Sequence, residues 1–589
     1  MILDGYTDEP AGLGVPPYID VYPRYVAGAI WDADPSARIA YFTVDRARRD
    51  VEGFLKLAGS ADVVVFIAGV VVPGKYLGGE PIKRKELLLW SRLLERPIKV
   101  LGGPVARFGF GEEGGKIAVP PSAFEHEFDL LVSGDLELAV YELVREGLRV
   151  DRVDPEARRE SYRDVGRFAI KGAKIVSQHP NYGYNLIAEI ETFRGCPRRV
   201  VGGCSFCIEP QYGEVVFRPP EDVVKEVEAL YRCGVRHFRL GRQPDFYVYM
   251  AERANEEEFP RPNPSAIERL LRGIRSAAPD LETLHIDNVN PGTVYHHPEE
   301  SIRITKVLIE CHTPGDVAAM GIESADPRVV KLNGLKVMPD EALEAIRLLN
   351  AYGASRGWNG LPELLPGLNF VAGLVGETRE TYRLNYEFLK RVLEEGLMVR
   401  RINIRQVLPL PGTRMWAIGD AVIKRNKKYF REFKRRVREE IDLPMLRRIV
   451  PRGTVLRRLY VEAYEGKNTL ARQVGSYPLL VYVPDLMPSR TVFDCVVVDH
   501  GYRSVTGIPY PLDVNVASER LLSRVPHLSK REVAEILARR PFKSLEELLR
   551  VVKDRRALRY LVAAPHSEGG RCGSPLSLTR EHTGTLNNT

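Results

Sequence analysis

Three cysteines lie within twelve residues of one another in the stretch Cys196–Cys207, which reads CPRRVVGGCSFC. Cys204 and Cys207 have the spacing C-x-x-C, and Cys196 lies eight residues before Cys204. Thiolates gathered this closely suit zinc or an iron–sulfur cluster. A structural zinc site takes four protein ligands, but no second C-x-x-C and no later H-x3–5-H occurs here. Three thiolates without a fourth ligand favour a 4Fe–4S cluster whose fourth iron is open to a substrate or cofactor.

The residues around the cysteines predict a loop that follows a buried strand. Leu186–Ile190 is a short, mostly apolar run, as expected of such a strand. Pro197, Gly202 and Gly203 disfavour regular structure after it. These residues argue against the alternative that the cysteines are small apolar residues of the core. Loops at the ends of strands carry the chemistry in α/β barrels.

A three-cysteine loop after a first barrel strand resembles the radical S-adenosylmethionine (SAM) superfamily. The resemblance implies that Cys196, Cys204 and Cys207 bind a 4Fe–4S cluster and that SAM chelates the open iron. It also implies an electron donor of the ferredoxin or flavodoxin type, whose electron cleaves SAM to methionine and a 5′-deoxyadenosyl radical. The spacing is C-x7-C-x2-C instead of the usual C-x3-C-x2-C, with Arg198–Val201 as an insertion.

Residues 185–420 alternate strands with helical patterns, which indicates parallel strands joined by crossover helices. The predicted helices include Pro220–Cys233, Pro264–Ala277, Pro339–Tyr352 and Arg379–Glu395. Six such strands resemble the partial (β/α)6 barrel of the radical SAM core. The predicted strands are Leu186–Ile190, Phe238–Leu240, Leu284–Asp287, Ala319–Ile322, Phe370–Gly373 and Ile402–Val407.

Three of the strand ends resemble the SAM-binding turns of that superfamily. The first turn, Gly241–Gln243, stands where a GGE-like turn of the superfamily binds the methionine amino group, although its sequence, GRQ, departs from GGE. The second turn, Gly321–Ser324, matches G-x-E-S, whose carboxylate and hydroxyl bind the ribose. The third turn, Gly373–Glu377, is glycine-rich, so that adenine can approach the backbone. The implied SAM contacts are Gly241, Arg242, Gln243, Glu323, Ser324, Gly373 and Gly376. No catalytic residue is assigned.

Residues 1–150 alternate short apolar runs, such as the predicted strand Ile2–Asp4, with helix-like segments, such as Asp45–Leu57 and Leu136–Arg145. This alternation predicts a doubly wound, Rossmann-like α/β domain. In position this domain resembles the cobalamin-binding-type domain that precedes many radical SAM cores. The sequence has no D-x-H-x-x-G motif to offer a histidine to cobalt. Cobalamin is therefore an open candidate cofactor, and the alternative is a domain that only caps the barrel. Residues 151–184 are polar and are predicted to be a connector.

The segments after the core point to nucleic acid. Residues 421–450 predict a basic helix, for which a solvated face is the alternative to a phosphate-binding one. Residues 451–510 predict four short strands, which are Thr454–Ala463, Thr469–Gln473, Leu479–Val483 and Phe493–Val498. They resemble the TRAM domain, an RNA-binding barrel of the OB type; an unrelated structural barrel is the alternative. The resemblance suggests RNA contacts from Arg457, Arg458, Lys467, Arg472, Tyr477 and Tyr482.

Residues 511–565 resemble a helix-hairpin-helix module. Their hairpin, Pro526–Ser529, lacks the glycines that usually grip phosphate. Residues 566–589 are polar and are predicted to be disordered. Cys233, Cys311, Cys495 and Cys572 have no ligand-like spacing, and residues 1–195 contain no cysteine. That absence argues against a methylthiotransferase, because members of that family carry three further cysteines in the N-terminal domain.

The 589 residues are 44% hydrophobic and 28% charged, as in soluble multidomain proteins. The sequence has no apolar run of bilayer length and no signal-peptide pattern, so a cytoplasmic protein that does not enter a membrane is expected. The whole arrangement resembles an archaeal-type group of radical SAM enzymes. We expect an enzyme that modifies RNA, with tRNA as the favoured substrate. The alternatives are a cobalamin-dependent methyltransferase acting on a small molecule or protein, and a nucleic-acid-binding protein with a structural cluster.

Overall fold

The computed structural model describes residues 1–8, 17–69 and 79–563. The chain divides into two compact units, Met1–Pro509 and Tyr510–Thr589. The predicted disordered tail, 566–589, and Cys572 within it lie outside the described residues. Within the described ranges, no helix combines the length and apolar character needed to cross a bilayer.

The first 150 residues contain a parallel five-stranded sheet whose strand order reverses next to the first strand, as in a doubly wound fold. The strands in spatial order are Tyr41–Thr43, Ile2–Asp4, Val63–Ile67, Ile98–Gly102 and Leu130–Leu131. The helices around them are Val44–Arg49, Val51–Gly59, Arg84–Arg92, Pro104–Phe108 and Leu136–Arg145. The single predicted helix 45–57 is two helices, because Asp50 caps the second by accepting a hydrogen bond from Gly53 N at 2.9 Å.

Among the described residues, seven parallel strands in two sheets form the central region. The first sheet, in order, is Thr283–Ile286, His237–Gly241, Ile187–Glu191 and Tyr18–Ile19, and the second is Asp316–Glu323, Leu364–Ala372 and Arg401–Gln406. A parallel bridge between Asn288 and Ala319 joins them. The predicted six strands are all present; Tyr18–Ile19 is an addition, since two residues carry no periodic signal.

The helices that cover these sheets include the predicted ones with shifts of one residue or none. They are Val21–Ala33, Arg163–Gly172, Pro220–Arg232, Pro264–Ala277, Pro291–His296, Pro298–Cys311, Pro327–Asn333, Pro339–Gly353, Arg379–Glu394 and Arg414–Ile418. The predicted connector 151–184 thus contains a helix, Arg163–Gly172, which packs on Val21–Ala33. A Cβ on Gly28 would lie 1.8 Å from the carbonyl oxygen of Phe168, so this close helix contact requires a glycine.

A buried ion network ties the helix Val21–Ala33 to the core. The Glu226 carboxylate accepts hydrogen bonds from both Arg24 and Arg218, and all three side chains are fully buried. Both guanidinium groups therefore rely on this shared carboxylate for counter-charge.

The basic segment is helical, as predicted, and leads into a closed five-stranded barrel. The helical parts are Ala421–Arg436, a π-helical turn over Val437–Asp442, and Leu443–Ile449. The barrel strands, in order around the barrel, are Val455–Glu465, Asn468–Arg472, Leu480–Val483, Ser504–Pro509 and Val492–His500. Four of them were expected from alternation, and Ser504–Pro509 was not, because its glycine and proline weaken the strand pattern.

The loop 473–479 of the small barrel contacts the strand Thr283–Ile286 of the central region. Ser476 Oγ donates a hydrogen bond to Ile286 O at 3.0 Å, and Ser476 N donates to His285 Nδ1 at 3.0 Å. The Tyr477 hydroxyl donates to Asp287. These contacts make the small barrel continuous with the central sheet.

The remaining elements are short. They are the 3-10 turns Pro121–Phe124, Val150–Arg152, Ala173–Gln178, Pro197–Val201, Glu209–Tyr212 and Phe246–Val248, and the strand pair Phe193–Arg194 and Val216–Phe217. The second unit contains Leu512–Asp513 paired with Leu561–Val562, the helices Glu519–Leu522, Lys530–Arg539 and Leu545–Leu549, and the turn Ala557–Tyr560. Ser529 caps its longest helix in a capping box with Glu532.

Candidate active site

The three cysteines lie on the loop after the strand Ile187–Glu191, as predicted. We call Cys196–Cys207 the cysteine loop. The inserted residues form one 3-10 turn, Pro197–Val201, which ends at Gly202 with φ of 82°. Gly195 before it also has a positive φ, 86°, and a Cβ there would lie 2.6 Å from Glu214 O. The longer spacing between the first two cysteines is therefore taken up by one compact turn.

Two helices hold the cysteine loop in place. Ser205 donates from its hydroxyl to Asn333 Oδ1 at 2.8 Å and from its amide to Asn333 O at 2.9 Å. Arg414 donates to Gly203 O at 2.7 Å, and Met415 N donates to Ser205 O at 3.0 Å. Such supporting contacts fix the positions of ligand side chains before a metal group binds.

The thiols share a low-dielectric environment with one guanidinium group. Cys204 is buried, and Cys196 and Cys207 are half-buried. Burial raises the pKa of Cys196 to about 12 and that of Cys207 well above its usual range. Arg198, from the inserted turn, donates a hydrogen bond to Cys204 Sγ at 3.0 Å and pairs with Glu258 at 2.9 Å. Iron would replace the thiol protons, because metal ligands bind as thiolates.

The donor set fits a 4Fe–4S cluster. Within the described ranges, no three His, Cys, Asp or Glu side chains converge to hold a metal ion. A single metal ion needs ligand side chains that meet at one point, whereas each cysteine of a 4Fe–4S cluster binds a different iron and the three side chains stay further apart. The loop supplies three sulfur donors, and soft thiolates are the ligands that such clusters take. The assignment of Cys196, Cys204 and Cys207 as cluster ligands remains a prediction.

Glu323 and Lys336 form a second charged element of the site, and Lys336 was missed by the sequence reasoning. A Cβ on Gly321 would lie 2.2 Å from Glu323 Oε1 and 2.7 Å from Lys336 Nζ, so both charged atoms lie over this glycine. Burial raises the pKa of Glu323 to about 7, although Lys336 and Arg405 oppose the rise. Burial lowers the pKa of Lys336, but Glu323 and the three cysteine thiolates outweigh burial and raise it.

Glu323 has the features of a ligand-binding residue. Its backbone φ is 62°, a left-handed conformation that non-glycine residues seldom adopt. Its Oε2 atom is buried and has no hydrogen-bond partner in the described part of the chain. An unpartnered buried carboxylate oxygen suits the hydroxyl donors that the G-x-E-S resemblance implies. Lys336 carries no signal in the sequence, because only the fold brings it to Glu323.

The first predicted SAM-binding turn has mostly internal partners. A Cβ on Gly241 would lie 1.7 Å from Glu189 Oε1, so this glycine is required by a close side chain. Arg242, with φ of 63°, donates to the Tyr22 hydroxyl at 2.9 Å. Gln243 is buried and donates to Leu240 O at 2.8 Å. These contacts hold the shape of the turn.

The other predicted turns are also tightly built. Ser324 is buried and accepts a hydrogen bond from Asp326 N at 3.2 Å. Gly373 has φ of 102° and donates its amide to Glu377 at 2.8 Å. Gly376 has φ of 88°, and a Cβ there would lie 2.5 Å from a Leu332 methyl carbon. Left-handed backbone explains both glycines, independently of any ligand.

A cavity of about 580 Å³ lies beside the N-terminal sheet and reaches Ile208, the residue that follows the cysteine loop. Its walls include Phe108, Phe110, Gly111, Ile208, Leu408 and Leu410. The glycine-rich stretch 107–115 forms part of it and lies on the end of the last central strand. There Gly115 N donates to Val407 O at 2.9 Å, and a Cβ on Gly111 would lie 2.2 Å from a Leu408 methyl carbon.

Most of the residues that the sequence suggested as RNA contacts bind other residues of the protein. Arg472 is fully buried and donates to Glu462, and Tyr477 is turned towards the central sheet. Arg472 is therefore not exposed for its predicted RNA contact, and the Tyr477 hydroxyl already has a partner within the protein. Arg457 and Arg458 are half-exposed and pair with carboxylates at 2.8 Å and 2.5 Å. Alternation along a strand does not reveal which barrel residues face another domain.

The profile of the Radical SAM superfamily matches residues 190–389. An uncharacterized protein of Archaeoglobus fulgidus is 46% identical over 95% of this chain and 98% of its own length. The ribosomal protein uS12 methylthiotransferase RimO of Aromatoleum aromaticum is 28% identical over 56% of this chain and 69% of its own. The radical SAM methyltransferase TsrM of Kitasatospora setae, solved with tryptophan and aza-SAM, has a TM-score of 0.46 and 16% identity over 70% of this chain and 74% of its own.

The chain belongs to the radical SAM superfamily. It is a radical SAM enzyme, and the superfamily uses a 4Fe–4S cluster with SAM. When bound, these two groups supply a one-electron cleavage that yields an organic radical. The protein's own part is to hold the groups, to orient the substrate and to exclude water. The alternative of a purely structural cluster is therefore set aside.

Proposed function

We propose that this enzyme modifies RNA, with tRNA as the favoured substrate. The observation that carries the proposal is a row of cations on one side of the helix Ala421–Arg436. Lys427, Lys428 and Arg431 are exposed there, and none of them forms an ion pair with a carboxylate among the described residues. Their spacing of three and four residues puts them on neighbouring positions of the helix surface. Unneutralised cations in a row suit a phosphate backbone.

The modules that follow the core support the same proposal. We assign the closed barrel within 451–510 as TRAM-like and the helical segment within 511–565 as a helix-hairpin-helix. The domain boundaries 1–150, 185–420 and 421–450 are part of the same assignment. A five-stranded closed barrel is the architecture expected of an OB-type fold. In the second unit, two helices flank the turn that contains His527, whose φ is 66°.

RNA retention tests the proposal directly. The reconstituted enzyme should bind tRNA transcripts at low salt and release them as salt is raised, because binding would release counterions. Lys427→Ala combined with Arg431→Ala should weaken binding by about tenfold and flatten the salt dependence. Lys56→Ala combined with Lys225→Ala removes two exposed lysines from other helices and should bind like wild type. Absence of retention by the wild-type enzyme at low salt would overturn the proposal.

The modified nucleoside should be sought in cells. Digested RNA from strains with and without the gene should differ in one nucleoside mass, and complementation should restore it. Complementation with Cys204→Ala should not restore the nucleoside, because this variant lacks one predicted cluster ligand. Identical nucleoside profiles in all strains would exclude RNA as the substrate under the growth conditions used.

A cobalamin-dependent methyltransferase is the second candidate, and the cavity beside the cysteine loop favours it. The cavity adjoins the N-terminal sheet, where ligands of doubly wound folds bind. Its described walls offer no histidine to cobalt. Anaerobic reconstitution with cobalamin, followed by measurement of cobalt per chain, decides the question. Methylthio transfer has less support, since residues 1–195 contain no cysteine.

A further inference from the structure

A small pocket lies at the opposite end of the last central strand from the candidate active site. It has a volume of about 50 Å³ and lies among the start of Arg401–Gln406, the helical segment 437–449 and the small barrel. Its polar lining comprises Arg400, Arg401, Asp442, Tyr477, Tyr502 and Arg503. A cavity needs about 10–15 Å³ to admit one water, so this one has room for a small ion.

The cations of this pocket outnumber its carboxylates. Asp442 is the only acidic residue among the described lining residues, and Arg438 already donates a hydrogen bond to it. Arg503 Nε lies 3.8 Å from the same carboxylate. A second carboxylate, Asp287, lies beyond Tyr477 and accepts the tyrosine hydroxyl. The lining guanidinium groups therefore share little negative charge.

Arg400 and Arg401 are held in place by Tyr477. Arg400 donates to Tyr477 O at 2.9 Å, while its buried Nε has no hydrogen-bond partner among the described residues. The Arg401 guanidinium lies 3.8 Å from the centre of the Tyr477 ring. Burial lowers the pKa of Arg400, Arg401 and Arg503 to about 10, with neighbouring guanidinium groups adding to the effect on each. The fold thus keeps three cations together at an energetic cost.

We propose that this pocket binds a phosphate group carried by the RNA substrate. The planar donors of arginine match the oxygens of phosphate, and such charge-assisted hydrogen bonds are the strong ones. Tyr502 lies on the pocket wall with 54% of its surface exposed, so its ring is available to a base next to the bound phosphate. The choice of RNA as the carrier rests on the proposed function, whereas the phosphate site itself rests on the pocket.

Inorganic phosphate is the first probe. The thermal midpoint of the reconstituted full-length enzyme should rise with phosphate more than with chloride at equal ionic strength. Arg503→Gln should abolish this specific rise, and Arg503→Lys should keep part of it, because lysine retains the charge and lacks the planar fork. Arg452→Gln, which removes an exposed and ion-paired cation of the same barrel, should respond like wild type. Equal effects of phosphate and chloride on wild type would overturn the site.

Single-stranded RNA is the second probe. Arg503→Gln should weaken its binding about tenfold and reduce the salt slope by about one, as expected for one lost phosphate contact. Tyr502→Ala should weaken RNA binding and leave the phosphate effect unchanged. If Arg503→Gln loses the phosphate effect but binds RNA like wild type, the pocket serves a free phosphate, and the RNA assignment is overturned. If wild type binds no RNA, the proposed function fails, and the phosphate result still decides the site.

Discussion

Arg198 Nη1 donates a hydrogen bond to Cys204 Sγ at 3.0 Å. The arginine comes from the turn that lengthens the spacing between the first two cysteines, and its ion pair with Glu258 orients it. The insertion therefore places a fixed positive charge on one of the predicted cluster ligands. Hydrogen bonds to cluster sulfurs and nearby charge both influence the reduction potential of such clusters.

Replacement of this arginine should make the cluster harder to reduce. In Arg198→Met the sulfur loses a donor and a neighbouring cation, so the reduction potential should become more negative. Potentiometric titration followed by electron paramagnetic resonance measures the shift. Arg199→Met is the matched control, because Arg199 comes from the same turn but is more exposed and forms a long ion pair of 3.7 Å with Glu214. An unchanged potential in Arg198→Met would show that the hydrogen bond has no electronic role.

Each of the three predicted cluster ligands should be needed for iron. Serine variants of Cys196, Cys204 and Cys207 should each retain less than half of the wild-type iron after anaerobic reconstitution and lose the broad visible absorption of the cluster. Cys233→Ser, at a half-buried helix end, should retain iron. Full iron loading of any one ligand variant would remove that cysteine from the set.

The stability contributed by Glu323 should depend on pH. Its pKa in the folded chain, about 7, lies above the ordinary value of 4.5, so the folded chain holds this proton more tightly than the unfolded chain. This contribution is fully present below pH 4.5 and is lost as the pH rises through 7.

Glu323→Gln should therefore gain stability relative to wild type between pH 5 and pH 8, by up to about 3 kcal/mol. Denaturant midpoints of the cluster-free chains at the two pH values measure the change. Glu380→Gln, at an exposed helix position, is the control. A constant difference between Glu323→Gln and wild type across this range would contradict a raised pKa.

Substitution of the buried Glu226 should reduce the stability of the protein far more than substitution of the nearby exposed Glu228. Glu226→Gln leaves Arg24 and Arg218 without their shared carboxylate and should cost about 3–5 kcal/mol. Glu228→Gln, two residues along the same helix, removes an exposed pair with Arg232 and should cost less than about 0.5 kcal/mol. Urea midpoints compare the two variants. Similar losses would mean that Glu226 contributes no more than a surface charge.

The space around Gly241 should not tolerate a methyl group. In Gly241→Ala the new Cβ would meet Glu189, whose carboxylate pairs with Arg239 at 2.5 Å. Displacement of this buried pair should cost about 3 kcal/mol. Gly59→Ala is the control, since nothing lies within 4 Å of its added Cβ. A Gly241→Ala chain as stable as wild type would show that Glu189 moves freely.

Periodic segments were predictable from the sequence. The bounds of Ile2–Asp4, Leu136–Arg145 and Pro264–Ala277 agree with the structure residue by residue, because strand alternation and helical periodicity are local signals. The cysteine loop was likewise found from spacing and loop-forming residues. The two-residue strand Tyr18–Ile19 was not, since its pairing with Ile187–Glu191 is decided by chain segments far apart in sequence.

The charged residues around the site could not be predicted from local sequence patterns. Lys336 lies in a stretch without a motif, and only the tertiary structure brings its ammonium group beside Glu323. Tyr477 illustrates the opposite error. An aromatic residue in a predicted RNA-binding barrel suggested a stacking surface, but its ring contacts Arg401 and its hydroxyl binds Asp287. Side-chain direction in a barrel depends on which neighbours cover it.

The hydrogen bonds from Ser476 and Tyr477 to the central sheet fix the distance between the small barrel and the cysteine loop. A ligand that is anchored on the barrel is therefore held at a set distance from that loop. Distance along the ligand, measured from the anchor, would then select the atom that reacts, and lengthening the loop 473–479 would move the point of attack.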